Sequence, residues 1–400
     1  MKTNGSIWHN KFLLIGLIAV AVVAVFTVYY YSGSGLKNAE QSFAKVKQAQ
    51  GVVQKISGQG DTLSDIVTGD HLAMGESIKT GPDSSMTIEF TDQSIMMISE
   101  NSRLSMNSLY RSIDTGETDT VVRLDTGSAE SRVTKAKGFR ARYQVITPAL
   151  QLAVRGTVFV VNVDGVTGTT RSMVMEGTVT ASGGGKDVDL SAGHGTVAEP
   201  GKPPSEPRAM LDAPVLKTMD SLIRRLPLHL VWEPAPNVSR YHLQLLTGSS
   251  FENLIHDKVY SANEAFLDDL PDADYKVRLR AIDEQGIEGK NGAQQFTLDA
   301  HPIPPEIQSP KNGDIIKRKK ARFLWTNAPE ANSYLFQVSD SKDFSKTVSR
   351  VNNLLGTMKG ISVRLAPGEY FWRIASINEA GEQGPFSEAR RFSVAARSRK

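Results

Sequence analysis

The sequence predicts an all-β protein with one N-terminal transmembrane helix, a first β domain and two tandem β-sandwiches. Three observations carry this prediction. Residues 12–31 form an uncharged apolar run, residues 50–198 show a hydrophobic period of two, and a unit of about 95 residues occurs twice after residue 213. At roughly 150 residues per domain, a chain of 400 residues holds two to three domains.

The composition excludes several classes of function. Hydrophobic residues make up 40% and charged residues 22%, so the chain can bury cores. A net charge of +3 argues against a nucleic-acid partner. The absence of cysteine excludes disulfides, Cys-ligated zinc, iron–sulfur clusters and a thiol nucleophile. The seven histidines are scattered without paired ligand spacing, so we expect no metal and no cofactor.

The run from residue 12 to residue 31 is 20 residues long and uncharged. At about 1.5 Å per residue it reaches about 30 Å, the thickness of a bilayer core. Tyr29, Tyr30 and Tyr31 at its end suit the headgroup interface. A cleaved signal peptide is the alternative, with cleavage near residues 33–35, but its apolar core is normally only about 7–15 residues. We therefore favour an uncleaved anchor.

The orientation of this anchor is not decided by charge, because Lys2 and Lys11 precede it and Lys37, Lys45 and Lys47 follow it. We expect a single-pass protein of the bacterial inner membrane, with a cytoplasmic tail at 1–11 and the remaining domains periplasmic. The Ala-, Lys- and Gln-rich composition from 36 to 50 favours a helix, so a stalk is expected at 32–49. A disordered linker is the alternative.

The first globular region, 50–198, is predicted to be all-β. Residues 86–90 alternate apolar and polar, and residues 158–161 form a short apolar run typical of a strand that is covered on both faces. Glycines separate such runs, and no helical pattern longer than two turns interrupts them. The order of strands and turns resembles the FecR domain. The segments that carry the resemblance are 51–53, 75–81, 84–94, 147–148, 154–161, 175–179 and 190–195.

The resemblance implies an extracytoplasmic β domain of a bacterial envelope protein, tied to signalling across the membrane. Only 11 residues precede Phe12, too few to bury a core, so we expect an outside binding module and not direct anti-sigma activity. The family-signature residues are predicted to be structural. They are Gly75, Thr80, Gly81, Arg155, Gly156, Thr157, Glu176 and Gly177. Arg155 lies among apolar residues, so we expect an ion pair, with Glu176 as the candidate partner.

Four prolines between 200 and 207 mark a linker at 199–213, followed by repeats at 214–300 and 301–396. The Trp and the first Tyr of the first repeat recur 93 residues later in the second repeat, and the second Tyr recurs 95 residues later. All of them are predicted to lie in sandwich cores. These residues are Trp232, Tyr241, Tyr275, Trp325, Tyr334 and Tyr370. The pattern resembles fibronectin type III domains, which implies interaction or spacer modules. In the first repeat the alternation of residues 275–281 predicts a solvent-exposed face carrying Lys276, Arg278 and Arg280.

Residues 317–320 form the only dense basic run of the sequence. A solvated turn is the leading interpretation, and contact with an anionic glycan or a phospholipid is the alternative.

No catalytic, metal or cofactor motif was found, so we expect a non-enzymatic protein. The leading hypothesis is an envelope sensing or signal-regulating module. It would bind an envelope protein, such as a receptor or sensor, by strand addition at a sheet edge. The alternative is a structural or adhesive scaffold that binds cell-wall glycan.

Overall fold

The fold is all-β throughout the part of the chain that this computed structural model describes, which is residues 38–135, 138, 140–236, 238, 240–248, 253–317, 320–355 and 360–396. The predicted fold class is therefore corrected, because the described fold contains strands and no α-helix. The N-terminal transmembrane helix predicted at 12–31 lies outside the described residues. Among the described residues, no helix has the length and apolarity needed to cross a membrane.

The helical stalk predicted from composition is wrong. Residues Ala39–Gln41 form strand β1 and Ala44–Gln50 form strand β2. Ala44 and Val46 are fully buried, whereas Lys45 and Lys47 are exposed. This alternation is a strand pattern, and packing of its apolar face overrides the weak helix propensity of the composition.

The first domain consists of two sheets that share the long strand β10. One sheet has the order β4-β3-β6-β9-β10-β11-β12-β15-β16, with β1 also paired to β9. The other has the order β5-β2-β7-β8-β10-β13-β14-β17-β18. The strands are β3 (Val53–Ile56), β4 (Thr62–Asp65), β5 (His71–Leu72), β6 (Ser77–Thr80), β7 (Ser85–Glu89), β8 (Ile95–Ile98), β9 (Arg103–Ser112), β10 (Thr118–Arg132), β11 (Arg142–Ile146), β12 (Gln151–Val154), β13 (Val158–Val163), β14 (Thr170–Glu176), β15 (Thr178–Gly183), β16 (Lys186–Ser191), β17 (His194–Ala198) and β18 (Arg208–Ala209).

Strand β10 changes sheets at Gly127. Residues before it pair with β9 and β11, and residues from Gly127 onward pair with β13 and β8. Gly127 has a φ of 91°, and a Cβ there would lie 2.2 Å from the Oγ of Ser102. Only glycine fits this close backbone approach without strain. The apolar faces of the two sheets enclose one core that includes Ile88, Leu104 and Val122.

Each repeat folds into a β-sandwich. The first has a sheet β19-β25-β24-β21-β22 and a pair β20-β23, and the second has β27-β34-β32-β29-β30, with β33 on β32, and β26-β28-β31. The strands are β19 (Leu222–Ile223), β20 (Leu228–Val231), β21 (Arg240–Thr247), β22 (Asn253–Tyr260), β23 (Glu264–Leu267), β24 (Ala273–Ile282), β25 (Gly292–Leu298), β26 (Ile307–Ser309), β27 (Asp314–Ile316), β28 (Lys320–Trp325), β29 (Ser333–Ser339), β30 (Thr347–Leu355), β31 (Gly360–Arg364), β32 (Gly368–Ile377), β33 (Gln383–Phe386) and β34 (Arg390–Val394).

The two sandwiches repeat the same core contacts. Trp232 packs edge-on against Tyr241 with ring centroids 5.6 Å apart, and Trp325 and Tyr334 do the same at 5.6 Å. The hydroxyls of Tyr275 and Tyr370 each donate to a carbonyl four residues earlier, those of Pro271 and Ala366. This is the tyrosine-corner arrangement found in immunoglobulin-like β-sandwiches. All six aromatic residues named from the sequence are buried.

The proline-rich segment 199–213 leads directly into the contact between the first domain and the first sandwich. Arg208–Ala209 forms β18 on the edge of β17. Met210 is buried in a cluster with Val160 and Met173 of the first domain and Ile287 of the first sandwich. The segment is therefore held at its end by both domains.

Candidate functional site

The face of the first sandwich that was predicted to be solvent-exposed is buried, so the sequence prediction of its exposure was wrong. Arg278 is 7% exposed and Arg280 is 1% exposed on β24, while Lys276 is half-buried. Across from them on β21, His242 and Gln244 are buried as well. The alternation along β24 correctly indicates one apolar and one polar face, but the polar face is covered by the first domain and not by water.

The covering surface is the outer face of the second sheet of the first domain. Met97, Glu130, Val160 and Met173 lie in one row across β8, β10, β13 and β14. All four are buried, although the interior of the domain lies on the other side of this sheet. The two sheets thus pack face to face, with charged residues at the centre.

Glu130 joins the two arginines at this centre. Its two carboxylate oxygens accept hydrogen bonds from Arg278 Nη1 at 2.5 Å and from Arg280 Nη2 at 2.6 Å. Arg280 also donates from Nη1 to Glu288 Oε2 at 3.0 Å and from Nε to Asn291 Oδ1 at 2.6 Å. Two guanidinium groups share one carboxylate in a site closed to water, where charge-assisted hydrogen bonds are strongest.

His242 extends this network. Its Nε2 contacts Asp257, and its Nδ1 lies 3.1 Å from Glu288 Oε2. Asn162 of the first domain donates to the other oxygen of Glu288 at 3.0 Å. We call Glu130, His242, Arg278, Arg280 and Glu288 the interdomain charge network. Glu130 belongs to the first domain and the other four to the first sandwich.

The ionisation of the network is set by burial and by the opposed charges. Burial raises the pKa of Glu130, but Arg278 and Arg280 outweigh this and lower its pKa to about 2. Burial lowers the pKa of His242, but Glu288 and Asp257 outweigh this and raise its pKa to about 10. The pKa of Glu288 is lowered because His242 and Arg280 outweigh its burial. Glu130, His242 and Glu288 are therefore charged at neutral pH, and they face two guanidinium groups, which stay protonated in proteins.

Apolar clusters and further polar contacts flank the network. Ile95 and Met97 of β8 pack against Leu246 and Leu254 of the first sandwich on one side, and the Met210 cluster lies on the other. Around them, Ser85 donates to the carbonyl of Leu254 at 3.0 Å, Lys258 contacts Asp83 at 2.6 Å, and Arg171 donates to the carbonyl of Gln285. Relative motion is the default for two domains of one chain, and we expect these apolar and charged contacts together to oppose it.

The chemistry of this site is that of a structural junction. A cleft of about 700 Å³ opens beside it, lined in part by Asp83, Glu100 and Lys258. The charged groups in the cleft are already engaged: Asp83 with Lys258, and Glu100 with the amide of Asp83 at 2.6 Å. Among the described residues, no group of three or more His, Asp or Glu side chains is arranged to hold a metal ion.

The ion pair predicted between Arg155 and Glu176 does not form. Both residues are exposed, and Arg155 donates to the carbonyl of Gly138 at 3.3 Å. The prediction of a buried arginine was wrong because Arg155 directly follows β12 and is exposed to solvent.

The other signature residues lie in turns and strand ends. Thr80 is buried and donates to the carbonyl of Ser99, and Thr157 is buried and donates to the carbonyl of Thr178. The remaining signature glycines are Gly75, Gly81, Gly156 and Gly177, of which all but Gly81 have positive φ.

The second sandwich covers the equivalent face with its own side chains. Arg373, at the position of Arg278, donates to Gln337 at 2.9 Å. Its guanidinium lies 4.0 Å from the ring centroids of both Phe344 and Phe386. Through these cation–π contacts the two phenyl rings cover the guanidinium of Arg373 within the second sandwich itself. The same sheet face is thus an interdomain contact in one repeat and a self-contained surface in the other.

Comparison with protein families identifies the first domain. Residues 76–180 match the family model described as FecR protein. The first domain contains this FecR match, and we refer to the whole domain as the FecR domain. No curated protein matches the sequence of the chain. The interdomain charge network therefore connects the FecR domain to the first β-sandwich.

Solved structures similar to parts of the chain are of two kinds. A protein assigned as an anti-sigma factor from Parabacteroides distasonis is 12% identical over 33% of this chain and 60% of that chain, with a TM-score of 0.27. The match thus spans less than two thirds of that structure. The fibronectin(III)-like modules of Clostridium thermocellum CbhA are 9% identical over 44% of this chain and 88% of that chain, with a TM-score of 0.18. Similarities this low carry no argument about function.

Raising the pH is expected to weaken the interdomain contact through His242. Because its pKa is raised from 6.5 to about 10, its stabilisation is complete below 6.5 and is lost as the pH rises through about 10. We expect the free energy of unfolding to fall by on the order of 1 kcal/mol per pH unit in this window. Urea unfolding at several pH values measures it.

The variant His242→Gln is the control for this titration, because a neutral side chain cannot titrate. Its stability should be lower at pH 6 and should depend less on pH between 7 and 10. Identical pH profiles for both proteins would exclude a charged His242 at the junction.

Proposed function

We propose that this chain is a non-enzymatic binding module of the bacterial cell envelope, acting outside the cytoplasm in envelope sensing or signal regulation through protein–protein contacts. The FecR domain supports the class of function, and the interdomain charge network is the single observation that carries the proposal. It joins the FecR domain and the first sandwich into one body that can present a partner site at a fixed angle.

The partner site we propose is the free edge of strand β16. Among the described strands, β16 pairs only with β15, and its register runs from Lys186 to Ser191 without a bulge. Natural sheets usually blunt an exposed edge with bulges, as β30 of the second sandwich does at two places. An unbulged six-residue edge is suited to receiving an extended segment of another protein.

The hairpin turn fixes which backbone groups point outward. Gly184 and Gly185 both have positive φ, which is the two-residue type I′ turn, so the flanking pair of Gly183 and Lys186 is hydrogen-bonded. Pairs then alternate along the ladder, and the amides and carbonyls of Asp187 and Asp189 point away from β15. Their exposed carboxylates favour a partner segment that carries basic side chains.

Replacing Asp189 by proline tests this site, because proline removes the outward amide without removing a hydrogen bond to β15. With a photocrosslinker at position 187 in the full-length protein, we expect capture of a discrete envelope protein, reduced about fivefold to tenfold by Asp189→Pro. Mass spectrometry of the captured species gives its identity.

The matched control is Asp189→Ala, which removes the same carboxylate and keeps the amide. It should retain more capture than Asp189→Pro. Equal capture by both variants would refute strand addition at β16. Capture of cell-wall glycan fragments in place of a protein would favour the second candidate function, a scaffold that holds envelope components at a fixed spacing. The connection between the first two domains is also suited to such a scaffold.

A further inference from the structure

The second sandwich differs sharply in charge from the rest of the chain. Residues 301–400 contain seventeen Lys and Arg residues against nine Asp and Glu, an excess of eight positive charges. The whole chain has an excess of only three, so residues 1–300 are net negative. The positive charge of the protein is thus concentrated at one end.

Part of this charge lies on the outer face of the sheet β26-β28-β31. Ala321, Phe323 and Trp325 of β28 are fully buried, whereas Lys320 and Arg322, which alternate with them along the strand, are exposed. On β31, Arg364 lies directly opposite Lys320 and Ser362 directly opposite Arg322. Lys317, also exposed, precedes β28. We call Lys320, Arg322 and Arg364 the basic face.

The basic face has no compensating carboxylates. Among the described residues, none of its three side chains forms an ion pair, whereas charged residues on β2, β10, β24 and β34 do. Like charges directly opposite each other in a β-ladder are destabilising. The sandwich fold does not require basic residues at these positions. In the first sandwich, the position equivalent to Arg364 is Asp268 and the position equivalent to Arg322 is His229.

We propose that the basic face binds the anionic phospholipid headgroups of a membrane surface. Phosphate charge complements these three unpaired cations, and basic residues near such a surface attract it electrostatically. The outward residues of β28 and β31 include no aromatic ring of the kind that stacks on sugars, which disfavours a glycan. This proposal does not depend on partner capture at β16.

A single fluorescent label tests the proposal, because the chain contains no cysteine. The full chain with Ser362→Cys carries an environment-sensitive dye at the basic face, and a second protein carries it at Asp268→Cys on the first sandwich. Both are mixed with phosphatidylglycerol-containing vesicles and with phosphatidylcholine vesicles. Apolar contacts elsewhere in the chain are common to both lipids. The label at 362 should respond to the anionic vesicles and the label at 268 should not.

Charge reversal at the basic face, K320E/R322E/R364E, should lower the affinity of the labelled face for anionic vesicles by at least about 100-fold, since each lost basic residue contributes about 1 kcal/mol and each new carboxylate adds repulsion. The matched control K342E/K346E/R350E makes the same change in net charge at other exposed positions of the same sandwich. It should retain most of the binding. Equal losses in both variants, no preference for anionic lipid, or a response only to a soluble polyanionic glycan would each overturn the proposal.

Discussion

Replacing Glu130 by alanine is expected to lower the free energy of unfolding by about 3–5 kcal/mol, the range for breaking a buried ion pair by removing one partner. Glu130 is the only carboxylate that the first domain places in the interdomain charge network, and it accepts from both Arg278 and Arg280. Without it, Arg278 loses the carboxylate that accepts its hydrogen bond, and Arg280 keeps only that of Glu288. We expect the unfolding of the FecR domain and of the first sandwich to separate into two transitions.

Chemical denaturation followed by a probe in each domain measures this effect. The control is Glu176→Ala, which removes an exposed carboxylate of the same domain and should change stability by less than about 0.5 kcal/mol. If Glu130→Ala behaved like Glu176→Ala, the network would not stabilise the contact between the domains.

The substitution Gly127→Ala is expected to destabilise the FecR domain by about 2–5 kcal/mol, since a left-handed backbone costs about 1–2 kcal/mol and overpacking about 1–3 kcal/mol. The new Cβ would lie 2.5 Å from the Cα of Ser102. Ser102 cannot move freely, because its hydroxyl donates to the carbonyl of Ser99 at 2.8 Å and accepts from the amide of Ser128 at 3.1 Å.

Gly165→Ala is the matched control for this substitution. Its φ is not positive, and its Cβ would have Thr126 as its nearest contact at 3.6 Å. Its stability, measured by urea unfolding, should stay within about 1 kcal/mol of the wild type. Similar stabilities for the two variants would contradict the role of Gly127 as the point where β10 changes sheets.

The strands and repeats were predictable because their signals are local. The alternation of Tyr275, Val277 and Leu279 requires one buried face, and the recurrence of Trp232 as Trp325 requires a second copy of the same core. The stalk was predicted wrongly because composition was weighed above the alternation of Ala44 and Val46.

The interdomain charge network could not be predicted from the same patterns. A strand with arginine at every second position looks the same whether its polar face meets water or another domain. The distinguishing signal is the pairing of Arg278 and Arg280 with Glu130, about 150 residues earlier in the chain. No sequence period connects residues at that separation. Arg373 shows the ambiguity, because the same position in the second sandwich is closed by two phenyl rings.

The central claim is that the FecR domain and the first sandwich form one rigid body. Distance measurement by electron spin resonance tests it most directly, with spin labels at Val166→Cys in the FecR domain and Asp268→Cys in the first sandwich of the otherwise cysteine-free chain. Both positions are exposed. We predict one narrow distance distribution that broadens when Glu130→Ala is added. A broad distribution in the protein with native Glu130 would contradict the account.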